Sequence, residues 1–199
     1  SVVFFGIGFE TTAPTVACSI LEAERIGLSN YYVFSAHKVM PPPMKALVAS
    51  GDVRIDGFIC PGHVSAIIGS EPYRFIARDY AIPCVISGFE PLDILQSIDM
   101  LLAMSKVARR SKGISDVEIQ YRRVVRPEGN PVALEQLYKV FKPADAEWRG
   151  LGIIPGSGLE IRDEYARFDA RKAFKIDICQ PSDHQGCRCG EVLRGLVRP

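Results

Sequence analysis

Three stretches of this chain end an apolar run in a polar, glycine-bearing turn. In VVFFGIGFETTAP (2–14) the run stops at Gly6 and Gly8, and Glu10, Thr11 and Thr12 follow at once. In GFICPGHVS (57–65), Gly62, His63 and Ser65 follow Cys60 and Pro61. In CVISGFEPLD (84–93), Gly88, Glu90 and Asp93 follow Ser87, and a further turn, SAHK (35–38), adds His37 and Lys38. Carboxylates, imidazoles and hydroxyls at strand ends can hydrogen-bond a ligand, move protons, or orient the groups that hold a metal. Glycine at 8, 62 and 88 permits tight backbone paths and close approach of a partner. A different chemistry belongs to Cys187 and Cys189 in the polar, glycine-rich DHQGCRCGE. Thiolates bind soft metals and iron–sulfur clusters, but a C-x-C pair cannot complete a four-ligand site alone. Cys179 is either a third ligand or a strand end, and redox pairing of Cys187 with Cys189 is a competing reading.

Each group also has an ordinary role. Thr11 and Thr12 can cap the next helix, and Glu10 can be a solvated turn residue. His37 and His63 can be loop histidines, and Lys38 a surface charge or a partner of Glu10 or Glu90. Glu90, beside Pro91, suits a helix start. The first turn is not a dinucleotide fingerprint, because the third glycine is missing and Pro14 stands nearby; no P-loop is present.

The elements behind these turns follow from patterning. Residues 2–7 are apolar without alternation, as in a strand covered on both faces of a parallel sheet, and 31–35, 56–60 and 83–87 read as further strands. Between them the spacing predicts helices over 13–27, 42–50, 64–69, 72–80 and 91–111. Strand alternating with helix implies an α/β fold: a Rossmann-like parallel sheet flanked by helices, with right-handed crossovers. In such sheets ligands bind beyond the carboxyl ends of the strands, so all the turns are expected to share one rim. Further on, 117–125 alternates like a strand, 131–142 is helical, 148–161 holds a short strand and a P-G-S-G turn, and IRDEYARFDARKAF has helical spacing. The expected division is an α/β domain over 1–112, a second, smaller α/β portion over 113–178, and the start of a cysteine-rich region over 179–199.

Composition narrows the classes of partner. The 199 residues are 47% hydrophobic and 24% charged, ordinary for a globular protein. A net charge of +1 gives no pull toward nucleic acid or anionic membrane. No apolar run approaches the roughly 20 residues of a spanning helix, so no membrane association is expected. Of the 6 cysteines, Cys18, Cys60 and Cys84 sit in apolar stretches and read as small packed hydrophobes. No disulfide spacing is evident, which points to a reducing, cytoplasmic setting. The chain starts almost within a strand and stops just after a cysteine pair, the expectation for a piece of a longer protein.

GFETTAP (8–14), SAHK (35–38), PGHVSAIIG (61–69), GFEPLDIL (88–95), YRRVVRPEGNP (121–131), IPGSG (154–158) and CRCGEVLRGLVRP (187–199) together resemble, in that order, the HypD family of hydrogenase maturation factors. The resemblance covers essentially the whole chain. It implies a cytoplasmic scaffold on which the iron–dicyanide–carbonyl group of nickel–iron hydrogenases is assembled, with a HypC-like chaperone that shares the iron and a HypE-like cyanide donor. It further implies a 4Fe-4S cluster in the full-length protein. The family's C-G-x-H-x-H and P-G-C-P-V-C motifs and its later cysteines do not occur here, so the chain would keep one wall of the assembly cleft and an incomplete cluster site. On the resemblance, Glu10, Thr11, Thr12, His63, Ser65, Glu90 and Asp93 would act on the iron group, with Gly8, Gly62, Gly88, His37 and Lys38 lining the site and Cys187 and Cys189 ligating metal. Two other classes stay open: a small-molecule transferase using strand-end turns as an anion site, with Cys60 or Cys84 as the thiol, and a protein-interaction module.

Overall fold

The structure is a computed structural model describing residues 1–111, 116–174 and 184–198. In chain order it contains β1 (Val2–Gly8), α1 (Ala13–Arg25), β2 (Tyr31–His37), α2 (Pro41–Ala49), β3 (Phe58–Pro61), α3 (Gly62–Ile68), α4 (Arg74–Tyr80), β4 (Cys84–Ser87) and α5 (Pro91–Ser111). Then follow β5 (Val117–Ile119), α6 (Pro131–Val140), β6 (Phe141–Trp148), β7 (Gly152–Ile161), α7 (Ala170–Ala173) and α8 (Cys189–Leu193). The chain is mixed α/β, with parallel sheets flanked by helices.

It divides into two compact units. Unit one is Ser1–Pro43 with Val132–Gly190; unit two is Met44–Pro131 with Glu191–Pro199. This grouping departs from the sequential division at residue 112, because α6 and the β6–β7 hairpin pack with the first strands of the chain rather than forming a portion of their own. The expected boundary at 112/113 lies outside the described residues. The expectation of one shared rim is also corrected. β1 and β2 form one parallel sheet, while β3, β4 and β5 form another, in the other unit. Nor is β1 covered on both faces as expected, since its burial is confined largely to Gly6, and an apolar run does not say which strands pair.

In unit one, β1 and β2 are in register from Val2–Tyr31 to Gly8–His37. Thr12 precedes α1 and Pro14 occupies its first turn, as predicted. The inner face of α1 (Val16, Ile20 and Ala23) packs with Val33, Leu137, Val140, Phe141, Leu159, Ile161 and Phe168. The run expected as a helix to residue 142 stops at Val140, where Phe141 opens the antiparallel β6–β7 hairpin. The P-G-S-G stretch continues β7 rather than ending it; the ladder shifts between Ala144 and Ala146, and Gly156 takes a φ of 65°. Residues 163–168 form a 3-10 turn and α7 is short, where a longer helix was expected.

In unit two, β4 is the central strand, parallel to β3 and β5, and all four of its residues are buried. Val64, Ile68, Tyr73, Ile76 and Ala77 are buried with it. The strand expected over 117–125 ends at Ile119; residues 120–125 turn back over the end of β4, with the Gln120 and Tyr121 amides donating to the Ile86 carbonyl at 2.9 and 3.2 Å.

Candidate functional site

The carboxyl ends of β3, β4 and β5 bring three turns of unit two together. Two of them, P-G-H and G-F-E-P-L-D, were singled out above; the third is Gln120–Arg123, read there as continuing strand. Close packing explains both glycines. A Cβ on Gly62 would stand 2.4 Å from the Ser87 carbonyl oxygen and 2.8 Å from the Tyr121 ring. One on Gly88 would stand 2.0 Å from Asp93 Oδ2 and 2.9 Å from Tyr121. At the centre lies Asp93, 4% exposed in the first turn of α5. Arg123 donates to its two oxygens from Nη1 and Nη2 at 3.0 and 2.7 Å, and Gln120 Nε2 donates to Oδ1 at 2.9 Å. These donors hold the Asp93 carboxyl below its ordinary value, with Arg123 the larger cause.

The outer part of this cluster is open. Glu90 lies 3.3 Å from Arg123, and its side chain is 74% exposed. The Arg123 guanidinium stacks on Tyr121, 4.4 Å from the ring centre. The exposed His63 packs against the exposed Phe89, ring centres 4.8 Å apart. Ser65 does not join them: it is fully buried, and its hydroxyl donates to the Pro61 carbonyl at 2.9 Å inside α3. Glu90 and Asp93 thus gather around Arg123, Tyr121 and Gln120, with His63 against the neighbouring Phe89. The sequence reading gave Arg123, Tyr121 and Gln120 no site role, although Tyr121 and Arg123 fall in its YRRVVRPEGNP motif. Besides that motif, their signal was a polar Q-Y-R-R directly after a strand, at the edge where ligands bind in parallel sheets.

The G-F-E-T-T turn belongs to unit one and is built differently. Gly8, at φ 135°, leaves room for Thr12, whose Oγ1 would lie 2.4 Å from a Cβ there. Thr12 does not cap α1 with its side chain; Oγ1 donates to the Phe9 and Ile7 carbonyls at 3.2 and 3.4 Å, closing the turn on the end of β1. Thr11 is half-buried. Glu10 is no solvated turn residue: it is 1% exposed, and Oε1 accepts the Met40 amide at 2.9 Å. Burial raises its carboxyl above the ordinary value.

His37 is likewise buried, against Phe141. Ser35 Oγ donates to the Leu159 carbonyl at 2.8 Å, so it accepts from His37 Nδ1 at 3.2 Å, which leaves Nε2 unprotonated. Burial pushes this imidazole down to about 4. Among the described residues, Glu10 Oε2 and His37 Nε2 are buried without a hydrogen-bond partner. The Lys38 ammonium donates to the Glu147 carbonyl and sits 4.8 Å from the centre of the Trp148 ring. A cavity of about 570 Å³ opens beside it, lined by unit-one residues including Ser35, His37, Glu160 and Arg171.

The cysteines divide by environment. Cys18 is exposed on α1, against the expectation of a packed hydrophobe, because it falls on the outer face of that helix. Cys60 and Cys84 are buried on β3 and β4, and the Cys60 thiol is pushed well up by its hydrogen bond to Cys84 and by burial. A thiol so placed is a poor nucleophile, which weighs against the transferase reading. Cys187 and Cys189 are half-buried. The Cys189–Gly190 backbone packs on Gly150 of the β6–β7 turn, where a Gly150 Cβ would come within 2.4 Å of the Gly190 amide. Cys179 lies outside the described residues. Among the described residues no three His, Cys, Asp or Glu side chains gather as metal ligands, so those present do not make the four-thiolate site that a 4Fe-4S cluster requires. Among the described residues no helix is long and apolar enough to cross a membrane.

Comparison with known proteins accounts for this collection of motifs. The family model described as "HypD: Hydrogenase formation hypA family" matches residues 1–199. The Escherichia coli (strain K12) hydrogenase maturation factor HypD is 46% identical over 199 residues, covering 100% of this chain and 52% of the relative. Its Rhodobacter capsulatus counterpart is 45% identical over 203 residues, with 100% and 52% covered. The hydrogenase expression/formation protein HupD of Azotobacter chroococcum mcd 1 is 43% identical over 204 residues, again with 100% and 52% covered. The chain spans about half the length of these curated relatives. With all 199 residues inside the family match, the chain belongs to the HypD family of hydrogenase formation proteins.

Proposed function

We propose that this chain serves hydrogenase maturation, as part of a cytoplasmic scaffold on which the iron–dicyanide–carbonyl group is assembled as cargo. A HypC-like chaperone and a HypE-like cyanide donor would be its partners. The observation that carries this reading is the unit-two turn cluster, in which a buried, ion-paired Asp93 fixes Arg123 so that Glu90, His63 and Tyr121 stand at an open strand-end surface. Arg123 offers hydrogen-bond donors to anionic cyanide ligands, while Glu90 and His63 can accept or pass a proton during ligand transfer. These groups would orient and tune the iron held by thiols elsewhere in the full-length protein. Glu10 and His37 would stabilise the other turn from inside unit one, and Cys187 and Cys189 would contribute two ligands to a cluster completed outside the described residues.

Glu90→Gln in the full-length protein tests the proposal. The variant should fold normally and lower the yield of active nickel–iron hydrogenase by roughly 10-fold or more, the usual effect of losing a group that orients a metal ligand. Normal maturation by a folded Glu90→Gln protein overturns the assignment. The interaction-module reading differs in outcome: it predicts retained partner capture whether or not iron is bound.

A further inference from the structure

We infer that β1 is an interior strand of the full-length protein, and that its free edge and both faces are covered by a strand-and-helix segment of the same polypeptide. That segment would come from the half of the relatives' length that this chain does not match. The inference is independent of the assembly reading. β1 is apolar throughout, VVFFGIG. Successive side chains in a strand point to opposite faces, so Val3, Phe5 and Ile7 lie on one side, and Val2 and Phe4 on the other. All five are exposed, from 47% at Phe4 to 61% at Ile7. An unbroken apolar run belongs to a strand covered on both faces, and parallel sheets occur almost only with both faces covered. Among the described residues, the sheet that holds β1 has two parallel strands, well below the usual size.

The hydrogen bonds show which groups are left over. The Val2 amide donates to the Asn30 carbonyl at 2.7 Å, and the Lys38 amide donates to the Gly8 carbonyl at 2.9 Å. Even-numbered residues of β1 therefore face β2, and Val3, Phe5 and Ile7 turn their amides and carbonyls to the opposite edge. That edge is apolar and carries no charge, bulge or proline to discourage pairing. A second copy of this chain could pair with the edge but would leave the apolar faces bare. A strand with flanking helices covers edge and faces together, and the relatives carry about as much chain again outside the matched half.

Amide hydrogen exchange distinguishes the occupants. In this chain alone the Val3, Phe5 and Ile7 amides should exchange at least 100-fold faster than those of Phe4 and Gly6, at every protein concentration. In the full-length Escherichia coli relative the amides aligned with Val3, Phe5 and Ile7 should be as protected as their neighbours. Proline at the position aligned with Phe5 should lower the thermal midpoint of the full-length relative, whereas Phe5→Pro should leave that of this chain nearly unchanged, since that amide has no partner here. Fast exchange at those positions in the full-length relative overturns the inference. Protection in this chain that rises with concentration also overturns it, by assigning the edge to a second copy.

Discussion

Asp93 shows how one carboxylate organises a surface. It is buried, and two donors from Arg123 and one from Gln120 satisfy it. Arg123→Ala leaves that charge with a single amide donor, so the thermal midpoint should fall clearly further than for Arg122→Ala, whose exposed guanidinium meets Glu118 at 3.6 Å and donates to the Ile119 carbonyl at 2.9 Å without satisfying a buried charge. Arg123→Lys should not restore it, because an ammonium cannot form the two-pronged contact; equal midpoints for the three variants would refute this account. His37 gives a pH dependence. The imidazole titrates near 6.5 in the unfolded chain and near 4 in the fold. Protonation therefore favours unfolding, so this contribution to stability is full above pH 6.5 and declines as the pH falls toward 4, by up to about 3 kcal/mol. Glu10 acts with the opposite sign, since its raised carboxyl favours the fold below its ordinary value and loses that benefit as pH rises through the folded one. Urea midpoints between pH 7 and 4 should fall more steeply in Glu10→Gln and less steeply in His37→Gln than in the unaltered chain.

Among the elements, the strand-end turns are the part most tightly specified. Each glycine there answers a particular neighbour. Gly62 lets α3 begin against the Ser87 carbonyl, and a methyl group at 2.4 Å from that backbone oxygen has nowhere to go. Gly62→Ala should destabilise by about 1–3 kcal/mol, the usual penalty of forced overpacking. Gly51 has a φ of 77° but open space around it, so Gly51→Asn should stay within about 1 kcal/mol of the unaltered chain. Denaturant titration of the two variants reads the difference directly; similar losses would mean that backbone freedom, not packing, selects glycine at 62.

For the molecule as a whole, the division into two units matters most. The core of unit one joins α1 near the start of the chain to Leu137, Phe141, Leu159 and Phe168 far beyond it. Phe141→Ala should remove about 3–5 kcal/mol, as for a fully buried aromatic. Hydrogen exchange should show the loss over residues 1–43 and 132–174, with the amides of β3 and β4 retaining their protection. Uniform loss across both units would show that they unfold together.

Much of this was legible along the chain. The strands, the helices between them, the turns at their carboxyl ends and the family motifs are set by local patterning: apolar runs, helical spacing and glycine. What could not be read was partnership. Nothing in FGIG or GFIC says that β1 and β3 join different sheets, because apolar strands pair equally well by backbone bonds and are sorted only by packing. Asp93 and Arg123 lie 30 positions apart, as do Glu10 and Met40, and each pairing exists only because strand ends converge. Residue types announced where chemistry could sit; burial and long-range hydrogen bonds, which depend on the folded chain, decided that Glu10 and Ser65 are held inside while Glu90 and His63 stand open.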